Sequence, residues 1–179
     1  MKLIGTSKKF EDVEFYQTEI IADNRGFFQK PFFGDLINEK FNNNYEVLVS
    51  HSKKNVIRGL HFQLPPNDVD KVVYCLEGKI LDVFVDLRSK SKTFGFHDSK
   101  VLEEKIPNSI LVPKGFAHGF SVISDTATVL YLQSKPFNKD SDSGIHYDSV
   151  NIDWNIKNPI ISQKDKNLID LTNFKTPWK

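Results

Sequence analysis

One cysteine among 179 residues, Cys75, excludes an internal disulfide, and its place in an apolar run is that of a small buried thiol. Neither sign of charge is in excess. Lys and Arg number 24 against 23 Asp and Glu, and the net charge of +1 gives no support for binding nucleic acid or another polyanion. No apolar run is long enough to span a membrane, and the N-terminus lacks the pattern of a signal peptide. Internal repeats, low-complexity segments and linkers are absent as well. The five histidines (51, 61, 97, 118 and 146) never stand two residues apart, so the His-x-His ligand cluster of a metal-dependent β-barrel enzyme is missing. These absences lead to the expectation of a soluble, cytoplasmic protein with no metal centre, no nucleic-acid partner and no membrane partner.

What is present suits one globular domain over residues 1–179, with 39% apolar and 12% aromatic residues, Phe (15) far ahead of Trp (2). Val13 to Ile21 alternates as a strand, Asp23-Asn24-Arg25-Gly26 reads as a turn, and Gly34 to Phe41 carries Leu36, Ile37 and Phe41 at helical spacing before Asn42-Asn43-Asn44. From Tyr45 onward strands dominate. Glu77-Gly78 between Lys71–Leu76 and Lys79–Leu87 reads as a two-residue hairpin. Within the second run, Leu81, Val83, Val85 and Leu87 share one face and Asp82, Phe84 and Asp86 the other. Two carboxylates on one face are costly in a dry core, so that face should line water, an ion-pair network or a site. Ser109–Val112, the turn Pro113-Lys114-Gly115 and His118–Ile123 form a strand–turn–strand, and Thr126–Gln133 a further strand with Ala127, Val129, Tyr131 and Gln133 on one side. A helical turn is expected over Gln163–Ile169, with Ser162 as N-cap and Asp165 at the third capping-box position. Many short strands with little helix indicate an all-β antiparallel sandwich or barrel.

Several segments in order carry a resemblance: DNRGFF (Asp23–Phe28), RGLHFQLPP (Arg58–Pro66), EGKILDVFVDLR (Glu77–Arg88), SKTFG (Ser91–Gly95), VPKGFAHGF (Val112–Phe120), the strand around Tyr131, GIHYDSVNIDW (Gly144–Trp154) and ISQKD (Ile161–Asp165). The chain resembles the dTDP-4-dehydrorhamnose 3,5-epimerase family of nucleotide-sugar epimerases, in the cupin superfamily. The resemblance implies an antiparallel jelly-roll barrel with a few short peripheral helices, a homodimer, and no cofactor. It implies a nucleoside-diphosphate 4-keto-6-deoxyhexose as substrate, inverted at C3 or at C3 and C5. The setting would be deoxysugar biosynthesis for a surface polysaccharide such as O-antigen, or for a glycoside.

By match to the family's motifs, His61 is the expected base and Asp165 the carboxylate that orients its imidazole. Tyr131 is the expected proton donor on the opposite face, and Lys71 the cation beside the C4 oxygen. Asp82, His118 and Gln63 match pocket positions, Arg58 a diphosphate contact, and Arg25 and Phe28 contacts around the nucleotide that reach into a partner subunit's site. Phe137 stands near a base-stacking tyrosine of the family. Departures from the thymidine-specific pattern fall at Lys30, where an acid is expected, at Leu48 and Ser50, near an expected glutamine and asparagine, and at Tyr74, where arginine is frequent. They leave the carrier open among dTDP, CDP and GDP. A metal-dependent or non-catalytic sugar-binding cupin is the competing reading.

Overall fold

The computed structural model describes residues 2–32, 34–41 and 44–179, the side chains of residues 35–37 excepted. Among them eleven strands run in the order β1 (Lys2–Thr6), β2 (Glu14–Gln17), β3 (Ile20–Asp23), β4 (Gly26–Gln29), β5 (Glu46–Lys53), β6 (Ile57–Gln63), β7 (Lys71–Asp86), β8 (His97–Glu103), β9 (Asn108–Val112), β10 (Phe116–Gln133) and β11 (Asp142–Gly144). Helix α1 (Gly34–Phe41) occupies the expected span, and the Asn42-Asn43 part of its expected stop lies outside the described residues. Helix α2 (Gln163–Lys166) ends earlier than the expected Ile169. The strand expected over Val13–Ile21 is broken at Thr18-Glu19, where the Thr18 N–H and hydroxyl both donate to the Pro107 carbonyl.

Two long strands organise the sheet. β7 and β10 pair antiparallel along most of their lengths, and each changes its outer neighbour halfway. Residues 71–74 of β7 pair with β9, whereas 79–85 pair with β8. The first half of β10 pairs with β6, and residues 126–133 with β5. Both changes occur at one bend, where the register jumps between Val122 and Ala127. Glu77-Gly78 is therefore not the hairpin turn that its composition suggests. It lies inside one continuous bent strand, paired with Thr128 and Ala127 of β10, with Gly78 at φ 77°. A Cβ there would lie 2.0 Å from the Thr126 carbonyl oxygen. The runs 118–123 and 126–133 likewise merge into β10, and β9, although it precedes β10 across a short turn, pairs with β2 and β7 instead.

Bending two central strands folds the nine-stranded sheet onto itself as an antiparallel jelly roll. Its interior holds Val73, Cys75, Ile80, Phe84, Phe120, Val122, Ala127 and Val129, contributed by both halves of β7 and β10. The alternate residues Leu81, Val83, Val85 and Leu87 pack outward under Trp154, Trp178 and the C-terminal segment. On the other outer face Val72, Leu111 and Leu132 lie with Tyr16 and Phe41 of α1. The expected split of the β7 faces is borne out. Asp86 is fully buried in an ion-pair network with Arg88 and Thr93, which hold its carboxyl below the usual range although burial pushes it up. β3 and β4 form a separate two-stranded hairpin around the expected Asn24-Arg25 turn.

Candidate active site

In a regular strand Arg58 and His61, three residues apart, face opposite sides. β6 pairs His61 with His118 and Arg58 with Phe120, which sets a three-residue step against a two-residue step on β10. The extra residue is taken up at Gly59-Leu60. Ile57 and Leu60 thereby turn outward into the core, while Arg58, His61 and Gln63 all line one cavity. Gly59 sits at φ 135°, and a Cβ on it would be 2.6 Å from the Gly119 Cα, so the close approach of β6 and β10 requires glycine.

The cavity has a volume of about 250 Å³ and opens between β5, β6, β7 and β10. On one wall, His61 Nε2 lies 2.7 Å from Asp165 Oδ1, with the imidazole 30% exposed and the carboxylate 5%. Asp165 serves twice. Its backbone N–H donates to Ser162 Oγ at 3.0 Å, the N-cap bond foreseen for α2, and its side chain reaches back to the imidazole. Burial pushes the Asp165 carboxyl up, but the His61 hydrogen bond and charge, the Gly59 N–H and Ser162 outweigh it and hold the group below its ordinary value. A charged carboxylate on one ring nitrogen leaves the other as a basic lone pair.

Lys71, at the start of β7, lines the same cavity. Burial pulls its pKa down to about 8, and the charges of Asp142 and Asp82 resist that fall. Asp142 of β11 is itself a cavity residue, ion-paired with Lys164 of α2. Asp82 does not line the cavity but lies behind His118, whose Nε2 is 2.8 Å from Asp82 Oδ2. Burial raises the Asp82 carboxyl against the opposing charges of His118 and Lys71. Tyr131 reaches the cavity from β10, its phenol pushed up by burial. Its hydroxyl lies 3.3 Å from Ser50 Oγ, on the paired strand β5. Arg58 is oriented by Ser52, whose Oγ accepts from Nε at 2.8 Å.

Of the sequence-predicted residues, His61, Tyr131, Lys71, Arg58, His118, Gln63 and Phe137 share this cavity, with Asp165 and Asp82 bonded behind two of them. The Gln63 amide is already used by the backbone: its nitrogen donates to the Asn67 carbonyl and its oxygen accepts from the Asn138 N–H. Its contribution is to fix the loop that carries Phe137. Arg25 and Phe28 are not brought to the cavity of their own chain; they lie on the β3–β4 hairpin. Tyr74 is buried on the outer face, its hydroxyl donating to Gln29 Oε1 at 2.7 Å, so it is not a cavity position at all. Asp142 and Lys164 were not singled out by sequence reasoning. Only the register of β11 on β6, with Asp142 opposite Gln63, places the carboxylate at the cavity.

No group of three or more His, Cys, Asp or Glu with metal-ligating geometry occurs among the described residues. No helix among them is long and apolar enough to cross a membrane.

Residues 7–173 match the family model for dTDP-4-dehydrorhamnose 3,5-epimerase. Among curated proteins, the enzyme of that name from Shigella flexneri is 38% identical over 172 residues, covering 93% of this chain and 94% of the relative. A dTDP-4-dehydrorhamnose 3-epimerase from Streptomyces niveus is 32% identical, over 83% of this chain and 74% of its own. Among solved structures, a dTDP-6-deoxy-D-glucose-3,5-epimerase from Legionella pneumophila, in complex with dTDP-4-keto-L-rhamnose, superposes with a TM-score of 0.89 at 31% identity, covering 97% of this chain and 94% of that one. With the jelly roll, the cavity and the ordered motifs, these matches show that the chain belongs to the dTDP-4-dehydrorhamnose 3,5-epimerase family.

Proposed function

We propose that this protein epimerises a nucleoside-diphosphate 4-keto-6-deoxyhexose at C3, through an enolate and without a cofactor. The observation that carries the reading is the His61–Asp165 pair on a cavity wall shared with Lys71 and Tyr131. The C4 ketone acidifies the hydrogens on C3 and C5, so inversion requires a base, an acid on the opposite face and a cation at the developing oxyanion. His61 takes the C3 proton. The electron pair moves into the C3–C4 bond and charge gathers on the C4 oxygen, which the Lys71 ammonium stabilises. Tyr131 returns a proton to the other face of C3, and the ketone re-forms. Arg58, with His118 behind the sugar, completes the binding site, its guanidinium fork suited to the diphosphate.

Inversion at C5 as well follows the same chemistry, and relatives of both kinds exist, named 3,5-epimerase and 3-epimerase. The relatives are named for dTDP sugars, which makes dTDP the first carrier to test. Leu48 and Phe137 form the cavity edge where the base would lie. Further parts of the reading are a homodimer, with Arg25 and Phe28 serving the partner's site, and a cytoplasmic location, where nucleotide sugars are made.

The test is deuterium uptake from heavy water into dTDP-, CDP- and GDP-4-keto-6-deoxyglucose side by side. Uptake at C3 alone or at C3 and C5 gives the regiochemistry, and the relative rates give the carrier. A chain that exchanges neither position in any of the three is not this enzyme. Activity lost to a chelator and restored by a divalent ion would favour the metal-dependent alternative.

A further inference from the structure

The residue that readies the opposite-face acid is visible in the wall of the cavity. Tyr131 is half-buried in the cavity wall, and the desolvation it meets there makes its phenol a weaker acid than an ordinary tyrosine, which opposes giving a proton to carbon. The one hydrogen bond of its hydroxyl among the described residues is to Ser50 Oγ, at 3.3 Å. Ser50 pairs with Val129 on the neighbouring strand and is half-buried at the cavity edge. The geometry points to Ser50 as the positioning residue of the reprotonation step, a role that rests on the epimerase reading above.

A phenol that delivers its proton to a carbon atom must point its O–H at that carbon. Its oxygen then has only lone pairs to offer its neighbour, so Ser50 must be the donor, its own hydrogen directed at the Tyr131 oxygen. In the transfer the Tyr131 O–H bond breaks and its electrons remain on oxygen as a phenolate. The enolate π pair forms the new C3–H bond, and the C4 carbonyl is restored. The Ser50 O–H donates to an oxygen that gains negative charge during the step, and a hydrogen bond to a charged group is stronger than one between neutral groups. Ser50 therefore favours the phenolate and, with it, proton delivery. It also fixes the rotation of the phenol hydrogen. Desolvation is the largest influence on the phenol and raises it, the Ser50 hydrogen bond comes next and lowers it, and the charges of Asp82 and Arg58 follow, the first raising it and the second lowering it. His61 and its proton abstraction lie on a different strand and make no bond to Ser50.

Replacement of Ser50 by Ala is expected to slow inversion at C3 about ten-fold or more while C3 hydrogen–deuterium exchange, which His61 performs, keeps close to its wild-type rate. The ratio of exchange to inversion rises accordingly, a ratio that a loss of fold or of binding leaves unchanged because it lowers both. Ser50→Thr keeps a donor on a strand position suited to a β-branched residue and is expected to restore most of the inversion. In a Tyr131→Phe background, Ser50→Ala should add nothing, since its partner is gone. An unchanged exchange-to-inversion ratio in Ser50→Ala overturns the inference, as does a full further loss in the Tyr131→Phe background. If the wild-type chain exchanges no C3 hydrogen, it is the epimerase reading that fails, and that result is distinct from a wild-type epimerase indifferent to Ser50.

Discussion

Among the described residues there are two histidine–aspartate pairs, and access separates them. The His61 side chain is 30% exposed at the cavity, whereas that of His118 is 5% exposed over a fully buried Asp82. Proton abstraction needs a ring nitrogen that reaches the substrate and then exchanges with solvent, which suits His61. The inner pair instead places a buried negative charge near Lys71, where it favours the ammonium over the amine. His61→Asn is expected to lower C3 exchange by at least about 10², the lower end of what a general base supplies, with nucleotide binding retained. Tyr131→Phe keeps the ring and its packing against Phe120 but removes the proposed acid. The expected signature is exchange at C3 without inversion, read by reducing the ketone after incubation in heavy water and identifying the sugar. Inversion at the wild-type rate would make Tyr131 a core residue only.

At the scale of strands, the register shifts decide which side chains share the cavity. The bend at Gly78 folds β7 and β10 so that Lys71 and Tyr131, beyond it, face the same interior as Asp82 and His118 before it. Gly78→Ala places a Cβ 2.0 Å from the Thr126 oxygen at a positive φ, and a loss of about 3 kcal/mol is expected in urea denaturation, at the upper end for such strain. That bend was the least legible feature in the sequence. Glu77-Gly78 has the composition of a hairpin, and only the non-local pairing of β7 with two different neighbours tells a continuous bent strand from a turn. The Arg58–His61 spacing misleads in the same way, since a period of two puts them on opposite faces and the Gly59 bulge undoes it. By contrast, the Asn24-Arg25 turn, α1 and the Ser162 cap were readable, because each depends on residues only a few positions apart. Asp142 was invisible for the opposite reason, as it reaches Lys71 only through the docking of β11 on β6. It yields a prediction of its own. Burial lowers the Lys71 pKa to about 8, so the ammonium proposed to stabilise the enolate is present below that pH and lost above it. The kcat/KM profile should therefore fall on an alkaline limb near pH 8. Asp142→Asn removes a charge that holds the Lys71 pKa up, and the limb should move to lower pH; a limb that stays in place would separate it from Lys71.

For the whole molecule, the β3–β4 hairpin is the part that one chain leaves unexplained. Among the described residues its strands pair only with each other, and Ile21, Phe27 and Phe28 are 60%, 64% and 56% exposed. A lone two-stranded hairpin is marginal in water, and adjoining exposed aromatics mark a surface that seeks a partner. Arg25 at its tip is held, among the described residues, by Asp23 alone, and the own-chain cavity lacks both Arg25 and Phe28. A two-fold dimer, in which each hairpin reaches across to the other's cavity, accounts for both facts at once. Sedimentation velocity should then show a dimer. Arg25→Ala should keep the dimer and raise KM for the nucleotide sugar about ten-fold with little change in kcat, the pattern of a lost binding contact away from the reacting carbon. Mixing decides whether the contact crosses. In a heterodimer of Arg25→Ala and His61→Asn chains, a crossing arginine leaves one site with both residues intact, the His61 of the first chain beside the Arg25 of the second. Mixed and re-equilibrated chains should regain up to about half of the wild-type activity per heterodimer at low substrate, because one site of the two is whole. If Arg25 served its own chain, no site would hold both residues, and the mixture would do no better than the Arg25→Ala protein alone.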